Sequence, residues 1–236
     1  MITTQLRELS IHRGFVRLIS ARFISNVGNG LSPIALAYGV LSLDGANGKD
    51  LSLVMSARIF PMIALMLFGG VIGDRFKRNR IVGGTDILGS SFVAISAASF
   101  IFGFASVPLL IFMGFLFGIL NALWWPAMSG VLPSLVPKEK LKDGNAVIGL
   151  LSNFGYVVGA LMGGTLVTLF GSGWALLVDA LSFFIAGILV WYLDVAPMEH
   201  RERTTVFAEL KDGWFEFKSR SWLVAMVIAF TGINAC

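Results

Sequence analysis

The stretch GGVIGDRFKRNRI, residues 69–81, sets one acid, Asp74, and four bases, Arg75, Lys77, Arg78 and Arg80, directly behind a long apolar run. The chain around it has 236 residues, of which 56% are hydrophobic and only 14% charged, and its mean hydropathy is +0.81. A water-soluble domain carries about 25% charged residues and about 45–50% apolar ones. The surplus apolar surface needs lipid to cover it, and a run that ends abruptly in bases reads as a membrane span reaching its basic side.

Each crossing takes about 20 mostly apolar residues. Six stretches satisfy this, at 18–43, 51–72, 81–103, 107–131, 146–169 and 174–195, and a seventh begins near Ser221. The connections SLDGANGKDL, FASVP and FGSGW are tight turns rich in Gly, Pro, Asp or Asn. Of the 18 Lys and Arg residues, 16 fall on one side, in the lead-in and the adjoining end of the first span (Arg22) and in the second-to-third, fourth-to-fifth and sixth-to-seventh connections. Lys49 alone stands on the opposite side, and Arg58 lies inside a span. The asymmetry predicts a multi-pass protein of the cell (plasma or inner) membrane with a cytoplasmic N-terminus. The expected fold class is all-α: a six-helix transmembrane bundle over 1–195, a cytoplasmic linker over 196–220 and the start of a seventh helix over 221–236. Within the linker, Phe207, Leu210, Trp214 and Phe217 recur at helical spacing, which suits a helix lying on the membrane surface.

The net charge of +4 does not signal nucleic-acid binding, because the bases are confined to short segments between apolar runs. One cysteine, Cys236, excludes an intrachain disulfide. His12 and His200 stand in polar flanks and give no metal-ligand spacing, so neither a metal nor a cofactor is expected. An intramembrane protease needs Ser with His, or paired Asp, within the spans. No His is there, and Asp86 and Asp179 fall at opposite depths, so an enzyme is not expected. The membrane part of an ATP-driven exporter has helices reaching far into the cytoplasm, and the 2–3 loop is too short for that.

A topological anchor requires bases, yet it requires neither Gly70 nor Asp74. The spacing Gly70-x-x-x-Asp74-Arg75-x-x-Arg78 places Gly70 and Asp74 on one helix face, where a neighbouring helix can approach closely and Asp74 can accept hydrogen bonds. This pattern resembles the 2–3 loop of the major facilitator superfamily, Gly-x-x-x-Asp-Arg-x-Gly-Arg-[Arg/Lys], with departures at Lys77 and Asn79. The fifth span adds Gly155, Gly159, Gly163 and Gly164, which resemble the glycine motif of that superfamily's antiporters, with Ala160 where Pro is usual. The stretches 57–76, 124–147 and 173–187 resemble an exporter branch that includes macrolide efflux proteins and the enterobactin exporter.

The resemblance implies a secondary active transporter that exports small, apolar or amphipathic molecules by alternating access, in exchange for a proton or another coupling ion. Its implied partners are the small-molecule substrate, the lipid bilayer and a C-terminal half of the same protein, since the chain reads as a fragment ending inside a helix. The alternatives are a half-size transporter acting as a dimer and a membrane channel or scaffold. Ionisable residues inside spans are costly and mark function or pairing. Arg58 and Asp179 fall at comparable depth and can pair. Arg22 and Asn26 share a face nearer the inner surface, with Asp86 at similar depth and within reach of Arg78. Asp86 and Asp179 are the candidates for proton coupling, and Asn26 is a candidate cavity residue.

Overall fold

The structure, a computed structural model, describes residues 13–73 and 76–195, together with 215, 218–223, 225–227 and 229. The chain divides into two compact units, Met1–Pro197 and Met198–Cys236. Within the second, the described residues 221–223 and 225–227 are helical. Phe207, Leu210, Trp214 and Phe217 of the expected surface helix lie outside the described residues, as does most of the expected seventh span.

The first unit is built from six long helices: α1 (Arg13–Leu41), α2 (Gly48–Gly73), α3 (Arg78–Ile101), α4 (Val107–Ser129), α5 (Leu141–Phe170) and α6 (Ser172–Trp191). Each coincides with one apolar stretch of the sequence, extended by a few residues where charged ends such as Arg13 and Arg78 continue the helix. No strand occurs among the described residues. Among them, α3, α4, α6 and the helical segment Lys138–Phe170 are long and apolar enough to cross a membrane. The remaining two helices are 29 and 26 residues long, and α1 is made less apolar by Arg17, Arg22, Asn26 and Asn29. The chain is an all-α, polytopic membrane protein. Exposed Val178, Leu181, Ile185 and Ile188 form an apolar stripe on α6, as expected of a helix that faces lipid.

Local chemistry sets the helix ends. Asn47 accepts the Lys49 N–H at 2.9 Å through Oδ1, and Asp50 Oδ2 accepts the Asn47 N–H at 2.9 Å, a reciprocal cap at the start of α2. The α5–α6 turn depends on Gly171 at φ +86°, a conformation that side-chain-bearing residues avoid. Prolines 33, 61 and 126 lie inside α1, α2 and α4, which membrane helices tolerate.

The packing repeats itself. Helix α1 packs chiefly on α5 and α6, α2 on α4, and α3 on α6 and α4. Exchanging α1 with α4, α2 with α5 and α3 with α6 maps this set of partners onto itself, the signature of two three-helix repeats. Because α1 and α4 begin at opposite ends of the bundle, the repeats are inverted. Backbone-to-backbone seams hold the pairs together. Gly159 abuts the Val27 carbonyl across α1–α5, Gly118 abuts the Arg58 carbonyl across α2–α4, and Gly83 meets Gly187 and Trp191 across α3–α6. Small residues at such seams let membrane helices gain dispersion contacts that lipid otherwise supplies.

Apolar side chains fill the bundle in layers. Phe15, Leu18, Val131 and Val190 belong to a cluster near the basic end, Phe117 and Phe183 to one at mid-depth, and Leu31, Ala97 and Leu176 to one near the far end. The intramembrane charges sit between these layers.

Candidate functional site

Helices α1 and α4 do not close on each other along their full length. Between them lies a cleft of about 280 Å³. Its α1 wall carries Arg22, Asn26, Asn29 and Pro33, and its α4 wall carries Asn121, Trp124 and Trp125. Asp86 and Thr85 of α3, Tyr156 of α5 and Phe183 of α6 complete it. Three residues singled out from sequence, Arg22, Asn26 and Asp86, therefore share one cavity.

Arg22 and Asn26 stand one turn apart on α1, and the Asn26 amide donates back to the Arg22 carbonyl at 2.7 Å. The Arg22 guanidinium lies 4.6 Å from the centre of the Trp124 ring and donates to Ser25 Oγ at 3.3 Å. A desolvated cation over an aromatic face is held with about 2 kcal/mol. Asp86 is 6% exposed, and its Cβ is pressed against Gly187 of α6. The Arg22 charge and the Trp124 indole face its carboxylate, yet the buried indole N–H completes no hydrogen bond. On α4, Asn121 donates to the Phe117 carbonyl at 2.9 Å.

Toward the far end lies a second charged group, in a tightly packed setting. Arg58 of α2 donates to Ser32 Oγ of α1 at 3.3 Å and lies 4.6 Å from the centre of the Phe117 ring. Asp179 of α6 is 0% exposed, and neither of its carboxylate oxygens makes a hydrogen bond. Ser32 and Arg58 are the polar groups in its field. Gly28 of α1 makes room for it, since a Cβ there would collide with Asp179 Oδ1 and Ser182 Oγ. Arg58 and Asp179 thus share a neighbourhood through Ser32. The space here is only about 20 Å³, enough for about one water-sized guest.

The loop residues take other partners. Arg78 donates to the Gly130 carbonyl at 3.1 Å, where α4 ends and a cation is favoured by the helix dipole. Asp86 lies elsewhere, in the cleft. Asn79, a departure from the motif of the 2–3 loop, donates to the carbonyls of Trp191 at 3.1 Å and Leu193 at 2.8 Å. Arg17 donates to Tyr192 O at 2.8 Å, so the end of α6 is tied to both α1 and α3. Asp74 and Arg75 lie outside the described residues, as do the surroundings of Gly70. On α5, Gly155, Gly159 and Gly163 meet Phe23, Val27 and Leu31 of α1 in register, while Gly164 faces open space.

Sequence reasoning missed Asn29, Asn121, Trp124 and Asn79. For Asn121 the available signal was a lone amide in the very apolar run LLIFMGFLFGILNALWW. For Asn79 there was none, because its partners lie 112 and 114 residues away.

Comparison with known proteins agrees with this architecture. The family model described as Major Facilitator Superfamily matches residues 18–236. The chain is 29% identical over 188 residues to a Na(+), Li(+), K(+)/H(+) antiporter of Planococcus maritimus, covering 76% of this chain and 41% of the relative. It is 27% identical over 231 residues to the multidrug efflux pump Tap of Mycolicibacterium fortuitum, covering 92% and 56%. It is 25% identical over 195 residues to the staphyloferrin A transporter of Staphylococcus aureus, covering 81% and 48%. The chain spans about half the length of the curated relatives it matches.

Proposed function

The chain belongs to the Major Facilitator Superfamily, and from that premise we propose that it serves as a secondary active exporter of small amphipathic molecules, driven by proton antiport. In this reading it lies in the cell membrane with its N-terminus and basic loops in the cytoplasm. The observation that carries the proposal is the cleft between α1 and α4, which holds Arg22 and Asp86 within the membrane-spanning bundle. Opposite charges buried beside an aromatic-lined cleft suit reversible binding better than they suit stability, because buried charges are often replaceable by apolar packing at no loss. Relatives that include a multidrug efflux pump and a cation/proton antiporter support the same direction.

The two acids then hold the candidate coupling positions. A carboxyl group in a dry site exchanges a proton according to what else occupies the site. Gly70, Asp74, Arg75 and Arg78 act as a cytoplasmic gate, and Gly155, Gly159 and Gly163 as the face along which α5 slides on α1 during rocking. The test is uptake of a fluorescent amphipathic dye into inverted membrane vesicles from cells expressing the intact gene. Energised vesicles are expected to accumulate dye against its gradient and to release it with a protonophore. Asp86→Asn and Asp179→Asn are each expected to abolish the pH-driven component. Unchanged pH-driven transport in both variants would remove proton coupling from the account.

A further inference from the structure

The exposed stripe of α6 continues past the helix end. Val178, Leu181, Ile185 and Ile188 recur at steps of three and four, and the next position in that series is Tyr192, 67% exposed. From Val178 to Tyr192 the stripe covers about 21 Å of helix axis, more than the apolar depth of one leaflet, about 15 Å. It therefore runs from within the membrane to headgroup level, where an exposed tyrosine is well placed.

Two guanidiniums converge on that end. They come from α1 and α3, the helices that chiefly pack on α6. Arg17 donates to the Tyr192 carbonyl at 2.8 Å. Arg80 lies 4.4 Å from the centre of the Trp191 ring, for which Gly84 of α3 leaves room. Both side chains are nevertheless exposed, and most of their N–H groups are unspent. Asn79 already satisfies the Trp191 and Leu193 carbonyls, so the helix end does not consume them. Among the described residues neither arginine forms an ion pair, with Asp194 or with any other acid. A topological anchor asks only for charge, in any pose. Two bases pinned at the foot of an apolar stripe match a molecule with an anionic head and an apolar tail.

We propose that the foot of α6 binds an anionic phospholipid, its phosphate held by Arg17 and Arg80 and one acyl chain lying along the stripe toward Val178. A guanidinium stacked on a ring keeps its N–H edge free for bidentate contact with phosphate oxygens, which Arg80 supplies from α3 and Arg17 from α1. Free phosphate meets the two bases but leaves the stripe bare, so the site recognises head and tail together. It is separate from the cleft, and it goes beyond the exporter reading without depending on it.

The test uses two pyrene-labelled lipids with the same acyl chains, phosphatidylglycerol, which is anionic, and phosphatidylcholine, which is zwitterionic. Binding to the full chain in detergent is read by energy transfer from tryptophan to pyrene. The anionic lipid is expected to bind about 10- to 30-fold tighter, which is what two bases at a membrane surface are worth. In Arg17→Gln/Arg80→Gln the gap should close while phosphatidylcholine binds as before, which also shows the variant to be folded. Lys138→Gln, which removes an exposed base elsewhere on the same basic side, should keep the gap. Millimolar inorganic phosphate at constant ionic strength should not displace the anionic lipid. Equal binding of the two lipids to the native chain would overturn the assignment, as would a gap that persists in the double variant or an equal loss of both lipids in it. A gap that closes equally in Lys138→Gln would mean diffuse attraction by the basic surface, and displacement by phosphate would mean a site for the free anion; either result overturns the lipid site. Uphill transport in vesicles tests the exporter reading separately.

Discussion

A single methyl group placed on α5 tests how the bundle is held. Built onto Gly159, a Cβ collides with the carbonyl oxygen of Val27, and the next atoms it meets, at 2.7 and 2.9 Å, are also Val27 backbone. Backbone cannot swing aside as a side-chain tip can. Restoring the shorter of these distances to ordinary contact at 3.4 Å moves the helices apart by 0.7 Å, and relieving the oxygen takes more. Such overpacking costs about 1–3 kcal/mol, and the withdrawal also loosens the neighbouring contacts of Gly155 and Gly163 with α1. The same substitution at Gly164, on the same helix, meets nothing within 4 Å. Both variants share the gain in helix propensity, up to about 1 kcal/mol, so the difference between them isolates the seam. Gly159→Ala is therefore expected to be about 1–3 kcal/mol less stable than Gly164→Ala, measured by denaturation in detergent followed through tryptophan fluorescence. Equal stabilities within about 0.5 kcal/mol would refute the close α1–α5 approach.

Other perturbations probe the remaining ties. Asn79→Ala removes two hydrogen bonds to the end of α6 and should destabilise the chain by about 1–3 kcal/mol, with proteolysis near residue 195 as a second readout. Arg58→Ala takes away the only described cation in the field of Asp179. It should cost more stability than the Arg58→Ala/Asp179→Asn pair, because the double variant leaves no uncompensated charge. A double variant no better than the single one would show that the two groups are not coupled.

The helices were legible because lipid imposes a length and composition that apolar runs display directly, as in residues 107–129. Their ends were less so, since α1 and α3 begin in charged segments that hydropathy does not count. The spacing of Gly155, Gly159 and Gly163 announced a smooth face, while its partner on α1, more than a hundred residues earlier, was not deducible from period alone. Arg58 shows why site geometry resists sequence reading. Depth alone paired it with Asp179, but the guanidinium also finds the ring of Phe117 and the hydroxyl of Ser32. Asn79 looked like a lapse in a motif, and its long-range bonds to α6 are invisible to any local pattern.

The central claim is that the cleft between α1 and α4 opens in turn to the two sides of the membrane. Cys236 is the one cysteine in the 236 residues, so in this chain a Cys236→Ser background carrying Asn121→Cys reports the cleft. Reaction of residue 121 with a membrane-impermeant maleimide, measured on right-side-out and inverted vesicles, tests the claim directly. The account predicts labelling from both sides, with the ratio shifting when a pH gradient is imposed. Labelling from one side only, indifferent to the gradient, would contradict it.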